Sequence, residues 1–304
     1  MSRTGLVFLI CVCLCLLFAA LSPPRQESLS GRNAFNINQE LCFTNQSKCF
    51  SSASTESLSF LHLTEIDESI QRQTVSTNPI FLTAFSQNHF VYGQKTISTF
   101  QQRKFRGERR MVVYDIGLNN DSLHWLSQQA QVTVRQFNFS RYPAYVADLF
   151  QYRWKPLVIA EALKDFDAIF WVDSHLQFRP KKAPPAPDYA IEEAERTVRT
   201  RAIPFSFFWR TIHSLYATTH PQMFEYLSLE QKKAASASMY DAGAFLIFKT
   251  PKFLKHILSW WVLCAWNRTA WPPMAVTFSA GSREKQAETH TKSTPTATDS
   301  ISLP

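Results

Sequence analysis

The sequence lacks any recognisable nucleic-acid-binding motif, although its formal net charge is +8. Its Lys and Arg residues are spread over many segments, and the densest group, at 103–110, lies in a short linker-like stretch. A solvated basic loop is the simplest interpretation of that group, and a contribution to holding a diphosphate or an anionic membrane surface is the alternative. We therefore expect no nucleic-acid partner.

Both flanks of the chain lack the apolar periodicity of folded elements. Residues 25–75 are rich in Ser, Gln, Asn and Thr, which favours a stem, and residues 271–304 form a low-complexity tail that we expect to be disordered. With 304 residues and a hydrophobic content of 45%, the chain is long enough for one core and too short for two generous domains. The sequence therefore predicts one folded domain at 76–270.

Residues 1–24 contain an unbroken apolar run at 6–21, preceded by Arg3 and followed by two prolines. The run is either a signal peptide or a short membrane anchor. Cleavage after Ser22 would place Pro23 next to the scissile bond, so we favour an uncleaved transmembrane helix. Its shortness suits the thin membranes of the endoplasmic reticulum or Golgi. The charge of Arg3 predicts a single-pass type II orientation with a cytoplasmic stub and a lumenal body.

Cysteine is scarce beyond this run. Cys42 and Cys49 flank a six-residue gap in a polar stretch, as expected for a small disulfide loop in an oxidising compartment. Cys264 is left over, which predicts a free thiol, an intermolecular bridge or a partner missing from this chain. A lumenal body also agrees with N-glycosylation acceptor motifs at Asn45, Asn120, Asn138 and Asn267.

Between the flanks, short apolar runs alternate with segments of helical spacing. Strand–helix–strand alternation favours an α/β fold with a mostly parallel, Rossmann-like sheet flanked by helices on both faces. Asn120, Asp121 and Ser122 offer capping side chains for the second helix. Strands are expected at 79–84, 111–114, 132–137, 168–172, 203–209 and 244–248, and helices at 91–102, 123–126, 156–163, 190–200, 221–229 and 251–265.

The strand at 168–172 ends abruptly in two residues that can bind metal, Asp173 and His175. Because the carboxyl ends of strands border the ligand crevice of an open α/β sheet, an Asp-x-His there can present a carboxylate and an imidazole to one divalent cation. In the alternative interpretation, Asp173 caps the next turn and His175 packs or faces solvent.

Five segments stand in a fixed order along the chain: 82–90 (LTAFSQNHF), 112–118 (VVYDIGL), 137–143 (FNFSRYP), 152–157 (YRWKPL) and 170–173 (FWVD). Together they resemble a little-characterised family of membrane-anchored proteins grouped with the GT-A glycosyltransferases. The resemblance extends over 79–266 and implies a GT-A-like fold that uses a nucleotide-sugar donor and a glycan or glycoprotein acceptor. It also implies that Asp173 and His175 hold a Mn²⁺ or Mg²⁺ ion that bridges the donor diphosphate.

Several other residues are assigned to the donor site by this resemblance, each with a simpler alternative. Lys155 could supply an ammonium that stabilises the departing diphosphate, or it could be a surface lysine at a helix start. Asp115 could bind the nucleoside, or it could end a strand in a turn before Gly117. Thr83 could line the base pocket, or it could only close the first strand.

The segment at 240–244 resembles the acidic-Ala-Gly element that this family carries before its late strand. Asp241 could therefore hydrogen-bond sugar hydroxyls or assist the acceptor, or the segment could be a turn that needs Gly243 for its backbone freedom. No general base is evident. Because no pair of carboxylates stands at a readable separation, retention or inversion is undetermined.

In one respect the sequence departs from the family. The resemblance implies a further segment with a cysteine, a histidine and an aspartate after the helix that contains Cys264, and the sequence continues instead into the tail at 271–304. A third metal ligand and a partner for Cys264 are therefore expected to be missing.

The rival functions are a catalytically silent lumenal protein that binds a glycan or partner enzyme and, less favoured, a metal-dependent hydrolase.

Overall fold

The computed structural model describes residues 58–63, 78–103, 105, 107–178, 191–192, 196, 205–219 and 231–268. The predicted anchor at 1–24, the cysteines Cys42 and Cys49, Asn45 and the tail all lie outside these residues. None of the helices in the described ranges is long and apolar enough to cross a membrane.

The elements alternate between strand and helix as far as the fourth strand. The bounds are β1 (Ile80–Phe85), α1 (Phe90–Gln102), β2 (Met111–Asp115), α2 (Asn120–Ser127), β3 (Val132–Gln136), α3 (Trp154–Asp165) and β4 (Ala168–Val172). Those that follow are β5 (Phe205–Phe207), β6 (Arg210–Ser214), α4 (Leu215–Thr218), α5 (Gln231–Ser236), β7 (Ser238–Tyr240), β8 (Ala244–Phe248), α6 (Pro251–Phe253), a π-helical stretch (Leu254–Leu258) and α7 (Ser259–Trp266).

Six strands form one sheet in the order β3-β2-β1-β4-β8-β5. The four strands β3, β2, β1 and β4 are parallel to one another, whereas β8 runs antiparallel to both of its neighbours. The predicted α/β fold with a mostly parallel sheet is therefore confirmed. A small two-stranded antiparallel sheet of β6 and β7, which the sequence did not predict, stands beside it.

The strand order reverses between β1 and β4. From β1 the chain moves outward to β2 and β3, and α3 then brings it back to β4 on the opposite side of β1. Ile97 of α1 and Leu126 of α2 pack on one face of the sheet with Phe81, whereas Leu157 of α3 packs on the other face with Leu82. In sheets of this kind, ligands bind in the crevice outside the carboxyl ends of the strands at such a reversal.

Local sequence explains where the helices begin. Pro156 is the third residue of α3, and Pro251 opens α6 behind a Thr250 side chain that accepts a hydrogen bond from the Phe253 N–H, as favoured at helix starts. The cap of α2 was predicted wrongly. Asn119 precedes this helix and its side chain accepts from the Ser122 N–H, whereas Asn120 is the first helical residue.

A buried arginine closes the carboxyl end of α7. The Arg153 guanidinium, 1% exposed, donates to the carbonyl oxygens of Ala265 at 2.9 Å and Asn267 at 3.0 Å. Carbonyls in the last turn of a helix have no intrahelical partner, so a cation there satisfies them and complements the helix dipole. Cys264 of the same helix is a buried free thiol.

The described residues of the predicted stem pack onto this body. Leu58, Leu61 and Leu63 are each at most 3% exposed and belong to the core on the α3 side of the sheet. Lys164 donates from Nζ to the Phe60 carbonyl at 3.0 Å. Residues 58–63 therefore contribute apolar surface to the folded domain.

Candidate functional site

The reversal point brings the end of β4 next to the start of β8. Because β8 is antiparallel, Val172 pairs with Ala244, and the residue after β4 meets the residue before β8. The Asp173 N–H donates to the Gly243 carbonyl at 2.7 Å. The segments that contain Asp173 and Asp241 are far apart in sequence, and they meet at the carboxyl end of β4.

Lys155 reaches this point from the first turn of α3. Its Nζ lies 2.8 Å from Asp173 Oδ1 and 3.0 Å from the Ala242 carbonyl oxygen. The lysine side chain is 2% exposed and that of Asp173 is 30% exposed. The surface-lysine alternative is therefore wrong, and the ammonium lies behind the carboxylate as seen from solvent.

Aromatic rings surround the Lys155 ammonium. Its Nζ lies 4.6 Å from the centre of the Trp171 ring and 5.6 Å from that of Phe245. Burial lowers the pKa of Lys155, and the negative charges of Asp173 and Asp241 oppose that shift. Ring faces and carboxylates both favour the cation, so they offset part of the cost of removing it from water.

The Asp173 carboxylate is held on one side only. Its Oδ1 accepts from the Trp171 indole N–H at 2.7 Å as well as from Lys155. Within the described ranges no hydrogen bond reaches Oδ2. The partly exposed side chain of Asp173 thus has one oxygen, Oδ2, without a hydrogen-bond partner among the described residues.

His175 follows in a tight turn. The Leu176 N–H donates to the Asp173 carbonyl at 3.0 Å, and the His175 side chain between them is exposed. Over the described part of the chain, no group of three His, Cys, Asp or Glu residues is placed to hold a metal. Asp173 and His175 thus lie two residues apart in this turn, the first partly exposed and the second exposed.

Asp241 lies in the loop between β7 and β8, the loop that Asp173 contacts through the Gly243 carbonyl. Its Oδ1 accepts from the Gly243 N–H at 2.6 Å, and its own N–H donates to the Trp209 carbonyl at 2.9 Å. Gly243 does not have a positive φ, so the predicted need for backbone freedom is wrong. A Cβ there would lie 2.9 Å from Asp241 Oδ1, so close approach to the carboxylate explains the glycine.

Asp115 and Thr83 form no hydrogen bond with this cluster in the described part of the chain. Asp115 Oδ1 accepts from the N–H groups of Gly117 at 2.8 Å and Leu118 at 2.7 Å, and Gly117 has a φ of +127°. These contacts match the turn-forming alternative for Asp115. Thr83 is 0% exposed, and its hydroxyl has no hydrogen-bond partner among the described residues.

The glycosylation motifs differ in accessibility. Asn120 and Asn138 are exposed. Asn138 also starts a 3₁₀ turn, where its side chain accepts from the Ser140 N–H. Asn267 is only partly exposed, and its carbonyl accepts from Arg153.

Two groups at the site were missed by the sequence analysis. The Trp171 indole holds Asp173, and a signal for it existed, because residues two apart on a strand point to the same face. The Ala242 carbonyl that accepts from Lys155 has no signature in the side-chain sequence.

Comparisons with known proteins give a partial picture. A family described as "Protein of unknown function (DUF1647)" matches residues 36–160. No curated protein sequence gives a significant match.

Similar solved structures include glycosyltransferases. Galactosyltransferase LgtC in complex with donor and acceptor sugar analogues is 11% identical, with a TM-score of 0.35 over 60% of this chain and 59% of that chain. The apo structure of the bifunctional glycosyltransferase WbbM is 9% identical, with a TM-score of 0.36 over 66% of this chain and 38% of that one. Core-mannan synthase A from Aspergillus fumigatus, in a Mn/GDP form, is 8% identical, with a TM-score of 0.35 over 64% of this chain and 67% of that one. The chain thus spans less than two thirds of the LgtC structure, and likeness at this level assigns no activity.

Proposed function

We propose that this protein is a GT-A-like, metal-dependent glycosyltransferase that moves a sugar from a nucleotide-sugar donor to a hydroxyl of a glycan or glycoprotein. One observation carries the proposal. Asp173 leaves β4 at the reversal of strand order, with Oδ1 fixed by Lys155 and Trp171 and with Oδ2 directed to no described partner. The ordered motifs that resemble the GT-A-related family support the same reading.

Asp173 and His175 would hold the ion, Mn²⁺ or Mg²⁺. In nucleotide sites such ions commonly take one or two protein carboxylates and complete their shell with phosphates and water, which fits a site with two protein ligands. When bound, the ion would stabilise the negative charge that develops on the departing diphosphate.

Lys155 acts through Asp173 in this proposal. Its side chain is 2% exposed and its ammonium donates to Asp173 and to the Ala242 carbonyl, so it orients the carboxylate and balances its charge. This differs from the expected role of Lys155, an ammonium that stabilises the departing diphosphate. Asp241, which is partly exposed, accepts hydrogen bonds from sugar hydroxyls or assists the acceptor hydroxyl.

The test is thermal unfolding of the full-length protein with Mn²⁺ and a panel of nucleoside diphosphates. A ligand that binds only the folded state, at a hundred times its dissociation constant, adds about 2.7 kcal/mol of stability. We expect one diphosphate to raise the midpoint only with metal and only when Asp173 is present. Asp173→Ala is compared with Asp165→Ala, which removes a carboxylate that is 55% exposed at the far end of α3.

The rival functions give different results. Cooperative unfolding that no diphosphate shifts would overturn the donor site and favour a silent binding protein. Release of free sugar or phosphate without an acceptor would favour the hydrolase.

We also propose a single-pass type II location in the Golgi or endoplasmic reticulum membrane, with the described domain in the lumen. The exposure of Asn120 and Asn138 supports this location. In human cells, glycosidase treatment should increase the gel mobility of the wild-type protein, and the Asn120→Gln and Asn138→Gln variants should each lose one glycan. A chain that is protease-accessible in intact microsomes and carries no glycan would contradict the lumenal location.

A further inference from the structure

Thr96 of α1 contacts the turn that contains His175. Its side chain is buried, with a residue exposure of 1%. Its Oγ1 lies 2.5 Å from the Ser174 carbonyl oxygen and 2.6 Å from that of Leu176. These two residues are the chain neighbours of His175, so a single hydroxyl holds the backbone on both sides of the imidazole.

The hydroxyl bonds more closely to this turn than to its own helix. A helical threonine ordinarily donates to the carbonyl one turn earlier, and that oxygen, of Tyr92, lies farther away at 3.2 Å. Because a hydroxyl carries one proton, it donates to one of the two turn carbonyls at a time. Both carbonyls therefore lie within hydrogen-bond distance of one buried donor, and a hydrogen bond in the protein interior is stronger than in water.

The His175 side chain depends on this backbone for its position. The imidazole is exposed, and no residue in the described ranges forms a hydrogen bond with it. The turn itself is held by the Leu176 N–H to Asp173 carbonyl bond and by Thr96. A loss of the Thr96 hydroxyl would therefore remove one of these two restraints on the segment between Asp173 and Leu176.

We infer that Thr96 is a positioning residue that sets the direction of the His175 imidazole and so pre-organises the second protein ligand of the metal site. The part of this inference that concerns metal rests on the proposed function, and the part that concerns the turn does not. Groups that orient a metal ligand without touching the metal commonly affect affinity by about 10–100-fold when removed.

Two measurements test the inference on the full-length protein. Thr96→Val removes the hydroxyl at nearly constant shape, and Thr96→Ser retains it. In metal-free protein, hydrogen exchange at 174–176 should be about tenfold faster in Thr96→Val and unchanged in Thr96→Ser. Mn²⁺ alone, titrated by electron paramagnetic resonance, should bind about tenfold more weakly to Thr96→Val and with wild-type affinity to Thr96→Ser.

Thr99 supplies a matched control one turn along the same helix. Its Oγ1 accepts from the Phe178 N–H at 3.1 Å, beyond the turn. Thr99→Val should increase exchange at Phe178 and leave Mn²⁺ affinity unchanged. If Thr96→Val disturbs the whole fold, Thr96→Ala repeats the comparison with a smaller side chain.

The outcomes distinguish the role of Thr96 in holding the turn from the role of the turn in metal binding. Equal exchange at 174–176 in wild type and Thr96→Val overturns the inference. Faster exchange with unchanged Mn²⁺ affinity also overturns it, because His175 would then not depend on the turn for metal binding. Failure of the wild type to bind Mn²⁺ overturns the metal site of the proposed function, while the exchange data still decide whether Thr96 holds the turn.

Discussion

Lys155 Nζ and Asp173 Oδ1 are 2.8 Å apart, yet the lysine side chain is 2% exposed and the aspartate side chain is 30% exposed. The two residues of this ion pair therefore differ in their access to water when the other residue is replaced. Water can reach a lone Asp173 carboxylate, which also keeps its bond from the Trp171 indole. Water cannot reach a lone Lys155 ammonium.

This asymmetry predicts unequal costs for the two substitutions. Asp173→Asn should lower the free energy of unfolding by about 2–3 kcal/mol, because it removes the negative charge that is hydrogen-bonded to a buried cation. Lys155→Met should lower it less, by about 1–2 kcal/mol. Methionine fits against the neighbouring rings and the carboxylate becomes solvated, whereas the buried Ala242 carbonyl loses its donor. Urea unfolding measures both values, provided that the dependence of the unfolding free energy on urea concentration is the same in all variants.

The exposed Arg135–Asp165 pair is the control for these two variants. Its side chains are 32% and 55% exposed, and an ion pair of that kind contributes little. Asp165→Asn should change the free energy of unfolding by less than about 0.5 kcal/mol. If Asp173→Asn and Lys155→Met lowered the free energy of unfolding equally, the different burial of the two side chains would not determine the cost of breaking the pair.

Arg153 gives a second prediction, on stability alone. It donates to the Ala265 and Asn267 carbonyls and its guanidinium lies 4.8 Å from the centre of the Tyr145 ring. Arg153→Met removes the donor to the buried Ala265 carbonyl and to the Asn267 carbonyl and should destabilise the protein by about 3 kcal/mol. Arg153→Lys should recover only part of this loss, because an ammonium lacks the planar fork that spans several acceptors.

Hydrogen exchange locates the Arg153 effect. In Arg153→Met the amides of α7 should exchange faster than those of α1, which lies on the other face of the sheet. Uniform changes across both helices would instead indicate a general loss of packing.

Much of the sheet was predictable because buried strands leave a strong sequence signal. The run Ala168–Val172 is buried at every position, as its continuous apolar character indicated. The direction of β8 was not predictable in the same way. A strand that is apolar on both faces has the same pattern whether it runs parallel or antiparallel to its neighbour.

The site was partly predictable for a related reason. Asp173 was found because it ends an apolar run, and strand ends border crevices. The burial of Lys155 and the role of Thr96 could not be found from local pattern. The Thr96 hydroxyl contacts a carbonyl 78 residues away, and only the packing of α1 against the end of β4 brings them together.

A third prediction concerns alkaline pH and the Tyr142 phenol. Burial, together with a hydrogen bond that the phenol donates to Glu161, raises the pKa of Tyr142 above its usual value of 10.0. The unfolded chain therefore loses this proton first. The stability that the neutral phenol contributes is fully present below pH 10 and is lost as the pH rises toward the folded-state pKa.

The Tyr142→Phe variant removes that dependence. Above about pH 10, wild-type stability should fall more steeply than that of the variant, by about 1.4 kcal/mol for each pH unit. Burial also raises the pKa of Tyr114, so the variant should retain some alkaline sensitivity. Parallel stability curves from pH 9 to 11 would contradict this account of Tyr142.

The last prediction separates donor binding from sugar transfer at Asp241. An asparagine can still accept the Gly243 N–H through its amide oxygen, so Asp241→Asn should fold with a loss of at most about 1 kcal/mol. Metal-dependent stabilisation by the nucleoside diphosphate should remain, because Asp241 is not among the proposed ligands. Transfer to an acceptor should fall about a hundredfold or more, since the substitution removes a carboxylate from the reacting sugar or acceptor.

Asp148→Asn is the matched control for this experiment. Asp148 Oδ1 accepts from the Phe150 N–H two residues on, just as Asp241 Oδ1 accepts from the Gly243 N–H, but Asp148 is an exposed residue outside the candidate site. Its variant should retain full transfer. If Asp241→Asn abolished diphosphate binding together with transfer, Asp241 would belong with the metal ligands. If it left both intact, the Asp241 carboxylate would have a structural role, and the sugar contacts would have to come from another part of the chain.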